Sequence, residues 1–157
     1  MSQSPQTIDL QPYEGTLQLL KHAVQGWSAE QLKRKPAPDK WSATEVLSHL
    51  TDHQIVTSFR IRQIISEEEA KLPPFDQDPW VSRTRANESE AADLFAVYEA
   101  LLVYNTLLLR RIPAEYFSRT GVNAKGKTFT LAGLLQAFVD HVHVHLAQID
   151  RIKQAIT

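Results

Sequence analysis

The segment covering residues 140–152 reads DHVHVHLAQIDRI and places three of the six histidines within five residues. On an α-helix, His141 and His145 lie one turn apart on the same face, and that spacing can chelate a metal ion. His143 is turned toward the far side of the helix, so we expect it in solvent or in a second layer. The segment therefore favours a helix that presents a histidine pair in one direction.

The face that carries His141 and His145 is mostly apolar, so both imidazoles are predicted to look into a core. It continues through Phe138, Gln148 and Ile152. A buried imidazole needs partners for its nitrogens, and a divalent ion is one such partner. Core histidines held by hydrogen bonds, or a surface histidine cluster, would give the same short pattern. A third ligand from elsewhere in the chain is needed to favour a metal site.

Size and composition set the class of protein. A chain of 157 residues allows one domain with a substantial core, and its formal net charge of -1 gives no footprint for nucleic acid or anionic membrane. There is no cysteine, so disulfides, thiolate ligands and a cysteine nucleophile are excluded, and thiol chemistry would need an external thiol. Neither a long apolar run nor a signal-peptide pattern is present, which predicts a soluble cytoplasmic protein.

Helical periodicity predicts a first helix over residues 11–25, after a tail at residues 1–8. Pro12 suits its first turn and Gly26 its end. Ser28 and Gln31 have capping-box spacing, which predicts one short helical turn before the proline-containing KPAPDK stretch.

The clearest helix start is the capping box of Ser42 and Glu45, and the pattern that follows predicts a long second helix to about residue 69. His49 lies in its second or third turn and is the third candidate ligand. Asp52 and His53 follow three and four residues later, on the same face.

Two long links separate the remaining helices. Residues 72–86 contain three prolines, and their Phe75 and Trp80 are expected to pack over the bundle or line a pocket. Asn87 and Glu90 are expected to cap a third helix that ends near residue 111. Residues 112–128 predict another long link or a two-stranded excursion, and the fourth helix begins near Thr128 or Thr130 and runs past Ile152.

Four helices with two long links predict an all-α, single-domain four-helix bundle that is not simply up-down-up-down. Metal sites in bundles are commonly built from facing helices, so His49 on the second helix could meet His141 and His145 on the fourth.

Three motifs in the expected order resemble the DinB/YfiT-like superfamily of metalloenzymes. They are W-S-x-x-E-V-L-x-H-L-x-D at 41–52, FDQDPW at 75–80 and H-x-x-x-H-L-x-Q-I at 141–149. The resemblance implies a four-helix bundle, usually a homodimer, that holds a divalent metal. Some members are thiol S-transferases or isomerases that use a low-molecular-weight thiol.

By the same resemblance, the metal ligands fall on His49, His141 and His145. Many members read H-x-x-H-H in the last motif, whereas this chain has Val144 in the fourth place. This difference from the family motif does not affect the positions of the ligands.

Three neutral imidazoles leave at least one coordination position open, as in catalytic zinc sites. Zinc is the first expectation by ligand type, and nickel, cobalt or iron would also suit histidine nitrogen. Metal affinity is expected to fall as the pH drops through roughly 6.5. Two reactions follow: a metal-bound hydroxide gives a hydrolase, and an exogenous thiol gives an S-transferase acting on small electrophiles. We favour the thiol route, with a non-catalytic metal-binding protein as the alternative to both.

A hydrolase would need a general base, for which Asp52 and Glu45 are the candidates, each about one turn from His49. Asp52 could equally orient a ligand imidazole, or be an ordinary polar residue. His53 could supply a fourth nitrogen, but a polar group at the mouth of the cavity is the favoured role. Arg60 is expected to pair with Asp76 or Asp78 and so hold the first long link.

Overall fold

The computed structural model describes residues 8–157, so the predicted tail lies, apart from Ile8, outside the described residues. The helices are α1 Gln11–Glu14, α2 Thr16–Ala23, α3 Ala29–Lys33, α4 Ala43–Ser66, α5 Gln77–Arg83, α6 Ala91–Arg111 and α7 Leu131–Ile156. The strands are β1 Ala70–Lys71, β2 Thr120–Val122 and β3 Thr128–Thr130, and short 3-10 turns lie at Ala86–Glu88 and Ala114–Ser118.

Four helical rods form the bundle: α1 and α2 together, then α4, α6 and α7. The long helix α4 packs against both α6 and α7, and α2 packs against the same two helices from the other side. The core between them is apolar and aromatic, with Tyr13, Leu50, Tyr98 and Phe138 all at most 2% exposed. The predicted four-helix bundle with long connections is confirmed.

The helix predicted over residues 11–25 is in fact two helices that meet at Gly15. Gly15 keeps helical dihedral angles, with φ of -77° and ψ of -10°, and serves both as the end of α1 and the start of α2. Beside it, the Thr16 hydroxyl donates to the Tyr13 carbonyl and bonds the Tyr98 hydroxyl. After α2 the chain turns at Gly26, whose φ of 81° lies in the left-handed region that glycine favours.

Both predicted capping boxes are present. The Ser28 and Ser42 hydroxyls accept from the backbone N–H of Gln31 and Glu45, whose side chains accept in return from the cap N–H groups. The predicted third helix is α6, and the cap predicted from Asn87 is wrong, since Asn87 donates to the Lys33 carbonyl and accepts from the Ser42 hydroxyl instead. Glu90 does occupy the N-cap position of α6, but its side chain makes no capping hydrogen bond.

The link at residues 112–128 forms the predicted two-stranded excursion, extended by a strand from another link. Strand β2 pairs antiparallel with β3 and parallel with β1, with Gly121 opposite both Phe129 and Ala70. Arg119 fastens this sheet to the end of α4 by donating to the carbonyls of Ile64 and Glu67. The short β1 begins at Ala70, and α4 correspondingly ends at Ser66 rather than near residue 69.

Helix α6 is the one helix in the described part of the chain that is long and apolar enough, by length and composition alone, to cross a membrane. It nevertheless carries Asn105, which is completely buried and hydrogen-bonded to the Tyr13 and Ser58 hydroxyls. One face of α6 therefore belongs to the polar interior of the bundle.

Candidate metal centre

The packing of α4 against α7 brings together three histidines that are far apart in sequence. The Nε2 atom of His141 lies 3.2 Å from Nε2 of His49 and 3.0 Å from Nε2 of His145. One nitrogen from each of the three rings lies within 4.8 Å of the other two. His49 and His145 are 1% and 7% exposed, so the nitrogens converge at the edge of the core.

These distances fit a divalent ion. Four-coordinate zinc with metal–nitrogen bonds of about 2.0–2.1 Å separates neighbouring nitrogens by roughly 3.3 Å. Neutral imidazole has only one N–H, so three ring nitrogens that face one another cannot all be satisfied by hydrogen bonds alone. The donor set contains only nitrogen, which suits zinc and also nickel, cobalt or iron.

The outer nitrogens of two rings are fixed by neighbours. Nδ1 of His145 lies 2.7 Å from Oε1 of Gln148, and Nδ1 of His141 lies 3.0 Å from Nδ1 of His53. If His141 and His145 ligate through Nε2, each must carry its proton on Nδ1 and donate it outward. His53 then accepts that bond and keeps its own proton on Nε2. It thus supports His141 and lies outside the three-residue cluster.

Aromatic rings cover the histidines. The Phe75 ring stacks on His49 and His53 with centroid distances of 5.5 and 5.8 Å. Trp80 packs edge-on against Phe75, and Trp41 lies 5.2 Å from the His49 ring. The first long link therefore packs over the bundle at this point, and its rings restrict access of water to the cluster.

Burial keeps the cluster neutral. Desolvation, followed by the neighbouring histidines, lowers the pKa of His49 to about 3 and the pKa of His141 to about 4. Burial likewise lowers the pKa of His145, and it lowers that of His53 well below the ordinary value. Protons therefore compete with a metal for these nitrogens at a lower pH than the value of roughly 6.5 at which the sequence predicts that metal affinity falls.

The structure separates the two candidate bases. Glu45 is buried, and its carboxylate accepts the Ser42 N–H and pairs with Lys35 at 3.4 Å, so it serves the helix cap. Asp52 is half-buried, and burial raises its pKa to about 6. Nδ1 of His49 has no hydrogen-bond partner among residues 8–157, so Asp52 does not orient that ring.

Other predicted residues are placed as follows. His143 is exposed on the far side of α7, as its helical position requires. Arg60 does hold the first long link, but it donates to the Pro73 carbonyl and not to Asp76 or Asp78.

The role of Gln148 was not predicted, although the sequence places this residue on the same helix face as the histidine pair. Its position three residues after His145 on a helix was the available signal.

A cavity of about 220 Å³ adjoins the cluster between α4, α7 and the β2–β3 hairpin. His53 and His141 form part of its wall. The arrangement thus combines a three-nitrogen site with an adjacent space for a small molecule.

The family model of the DinB superfamily matches residues 13–149, which is most of the chain. The chain belongs to the DinB superfamily.

Two bacterial relatives in sequence carry names of candidate metal-dependent hydrolases. YfiT of Bacillus subtilis is 26% identical over 136 residues, covering 86% of this chain and 76% of YfiT. A protein of Oceanobacillus iheyensis is 26% identical over 131 residues, covering 83% of this chain and 76% of its own length. These relatives and the three-histidine cluster support a metal-dependent enzyme.

Two solved structures show the same fold. The structure of YfiT, described as an unusual four-helix bundle, matches with a TM-score of 0.86 at 23% identity, covering 99% of this chain and 93% of YfiT. A mycothiol-dependent maleylpyruvate isomerase matches with a TM-score of 0.71 at 11% identity. That match covers 89% of this chain but 58% of the isomerase, so it concerns only the shared bundle.

Proposed function

We propose that this DinB superfamily member is a metal-dependent S-transferase that joins a low-molecular-weight thiol to a small electrophile. The observation that carries the proposal is the convergence of three neutral imidazole nitrogens beside a cavity that no Asp or Glu of residues 8–157 lines. Hydrolysis would want a carboxylate at that position to take a proton from water. A thiol needs less help, because it is far more acidic than water.

The bound ion, with zinc as first choice, would supply Lewis acidity that favours the deprotonated form of the thiol. His49, His141 and His145 would hold it, while Gln148 and His53 fix the orientation of two of these rings. In the transfer, the sulfur forms a bond to the electrophilic carbon, the thiol proton passes to solvent, and the leaving group departs with its bonding pair. The rings of Phe75 and Trp41 would exclude water from the cluster.

The absence of cysteine provides a clean test. In protein loaded with Co²⁺, any sulfur-to-cobalt charge-transfer absorption must come from an added thiol, since the chain has no thiol of its own. We expect this absorption on titration with small thiols, together with turnover of simple electrophiles. The variant with His49, His141 and His145 all replaced by alanine is the control and should show neither. Bound cobalt without absorption or turnover for any thiol would reject the S-transferase.

Hydrolysis is the second candidate, because the names of the sequence relatives favour it and burial raises the pKa of Asp52 to about 6. A carboxylate with that pKa is ionised at neutral pH and can accept a proton from water. In that case Asp52→Asn should lower hydrolysis by about 10²–10⁴-fold and leave the bound metal unchanged. Equal hydrolysis by Asp52→Asn and the parent would remove Asp52 from the mechanism.

We also propose that the protein acts as a homodimer in the cytoplasm on small-molecule substrates. Support for self-association comes from exposed apolar side chains on the outer faces of α4 and α6, among them Phe59 and Tyr104, each 57% exposed. Large exposed apolar side chains on neighbouring helices are typical of an interaction site.

A further inference from the structure

The cavity beside the histidine cluster is lined by two chemically different sets of side chains. The apolar set consists of Leu72, Phe129, Leu134, Ala137 and Phe138. The polar set, called the polar part below, contains Arg60, Thr57 and Asn123 together with the two histidines, His53 and His141. A molecule in this space would therefore meet both hydrocarbon and polar groups.

Arg60 lies in the polar part as a cation without a counter-ion. Its Nη2 donates to the Pro73 carbonyl at 2.7 Å, which fixes the side chain against the first long link. Its Nε is buried and has no hydrogen-bond partner, and no carboxylate of residues 8–157 forms an ion pair with it. Burial lowers the pKa of the guanidinium, which is the expected effect of losing water without gaining a negative partner.

Thr57 supplies a second unused group, one helical turn before Arg60. The side chain is 0% exposed, and its Oγ1 has no partner. Other hydroxyls on α4 behave differently, since Thr51 and Ser58 donate to the carbonyl four residues earlier at 2.9 and 2.6 Å. A buried hydroxyl without a partner is uncommon and indicates that something else satisfies it.

Asn123 completes the polar part from the β2–β3 turn. Its Oδ1 accepts from the backbone N–H groups of Lys125 and Lys127, so its amide NH₂ is what remains for the cavity. The unused groups of Arg60 and Asn123 are thus donors, and the Thr57 hydroxyl can also donate. Donors around a fixed cation select a ligand that has only acceptors and carries negative charge.

We propose that this cavity is a subsite for the carboxylate of a small substrate with an apolar body, with Arg60 as its anchoring cation and Thr57 as a second donor. The apolar body would lie along Phe129 and Phe138. This proposal deepens the proposed function and rests on it in one respect: the bound carboxylate would belong to the electrophile. A guanidinium matches the two oxygens of a carboxylate in geometry as well as charge.

The test measures binding of butyrate to the full-length, zinc-loaded protein, with butyramide as its neutral isostere and inorganic phosphate as an anion without an apolar body. We expect butyrate to bind at least about tenfold more tightly than either. The NMR resonance of the Arg60 Nε–H group should shift on titration, with the same dissociation constant as the bulk measurement. A resonance that does not move while butyrate binds would overturn the proposal.

Three variants complete the test. Arg60→Gln removes the charge and should weaken butyrate binding at least about tenfold. Thr57→Val removes only the hydroxyl and should weaken it less. Arg111→Gln removes an exposed charge outside the cavity and should leave it unchanged.

Equal affinity of Arg60→Gln and the parent for butyrate, with bound zinc unchanged, would reject the subsite. That outcome would leave the S-transferase standing, because the cobalt–thiol test uses neither Arg60 nor butyrate. If the parent protein does not bind zinc at all, that result would instead reject the metal centre.

Discussion

Two of the three candidate ligand histidines are held at their second ring nitrogen, His141 by His53 and His145 by Gln148, and both lie on α7. His141→Ala or His145→Ala removes one of three nitrogens, so we expect at least about tenfold weaker zinc binding with helical content retained. Elemental analysis and circular dichroism measure the two quantities.

His143→Ala is the matched control, because it lies on the same helix but is exposed on the other side. Its zinc content should equal that of the parent. Parent-like zinc content in His141→Ala and His145→Ala would contradict the ligand assignment.

The low pKa values of the cluster predict how the metal-free protein responds to acid. Well above pH 6.5 the histidines are neutral in both the folded and the unfolded chain, so they make no pH-dependent contribution there. Between pH 6.5 and about 4, the unfolded chain takes up protons that His49 and His141 in the folded chain do not. The free energy of unfolding should therefore fall as the pH falls, by at most about 1.4 kcal/mol per pH unit for each histidine.

Urea unfolding of metal-free protein at pH 7.5, 6.0 and 5.0 measures this slope. His49→Gln lacks one of the titrating groups, so its stability should depend less steeply on pH in the acid range. Parallel curves for His49→Gln and the parent would show that His49 is not held neutral by the fold.

Helix α4 carries much of the site, since His49, His53, Thr57 and Arg60 recur on it every three or four residues. Its start was predictable, because the capping box of Ser42 and Glu45 is a local signal that needs no tertiary information. Its meeting with α7 was predicted from the way helix bundles build metal sites on facing helices, and more specifically through the resemblance, since no rule of spacing relates positions about ninety residues apart.

The features of the structure that could not be predicted from the sequence depend on tertiary contacts. Helix α5 lies within a proline-containing link, where local propensity argues against a regular element. The cap expected from Asn87 failed because Ser42 and Lys33, distant in sequence, offered that side chain better partners. Arg60 was predicted to hold the link, but a backbone carbonyl has no sequence signature, and carboxylates were expected as its partners.

Gly121 fixes the distance between the sheet and the end of α4. A Cβ atom at this position would lie 2.9 Å from Leu72 Cδ2, which is closer than real Cβ contacts, and 3.0 Å from Ile64 Cγ1, which is tighter than most of them. Both neighbours are buried, so Gly121→Ala should lower the free energy of unfolding by about 1–3 kcal/mol. Val122→Ala, on the same strand at an exposed position, is the control for chemical unfolding. If Gly121→Ala has the same free energy of unfolding as Val122→Ala, the sheet can move away from α4 without cost.

At the scale of the whole molecule, a buried polar network sets how α4 and α6 face each other. Asn105 donates to the Tyr13 and Ser58 hydroxyls and accepts from Arg62, while the Tyr13 hydroxyl donates to Gln54. Sliding either helix by one residue would leave several of these buried groups without partners, which is costly. The network therefore also fixes which side chains of the two helices face outward.

The outward side chains of α4 and α6 include several large apolar ones, which we call the apolar surface of these helices. The Arg62 guanidinium lies 4.6 Å from the centre of the Tyr104 ring, and Phe59 precedes Arg62 by one turn on α4. Phe59 and Tyr104 therefore both lie near Arg62. Three more large apolar side chains of these two helices are 45–54% exposed: Ile55, Val103 and Leu107. A second copy of the chain would cover it.

We therefore expect the parent protein to sediment as a dimer and Phe59→Glu to sediment as a monomer. A charge at this position would have to be buried without a partner in the interface, which opposes association strongly. Leu19→Glu introduces the same charge at an exposed apolar position on α2 and should stay dimeric. Zinc content should not change in either variant, because the cluster is built from one chain. If the parent protein is a monomer, or if Leu19→Glu dissociates the dimer as much as Phe59→Glu does, the apolar surface of α4 and α6 is not the dimer interface.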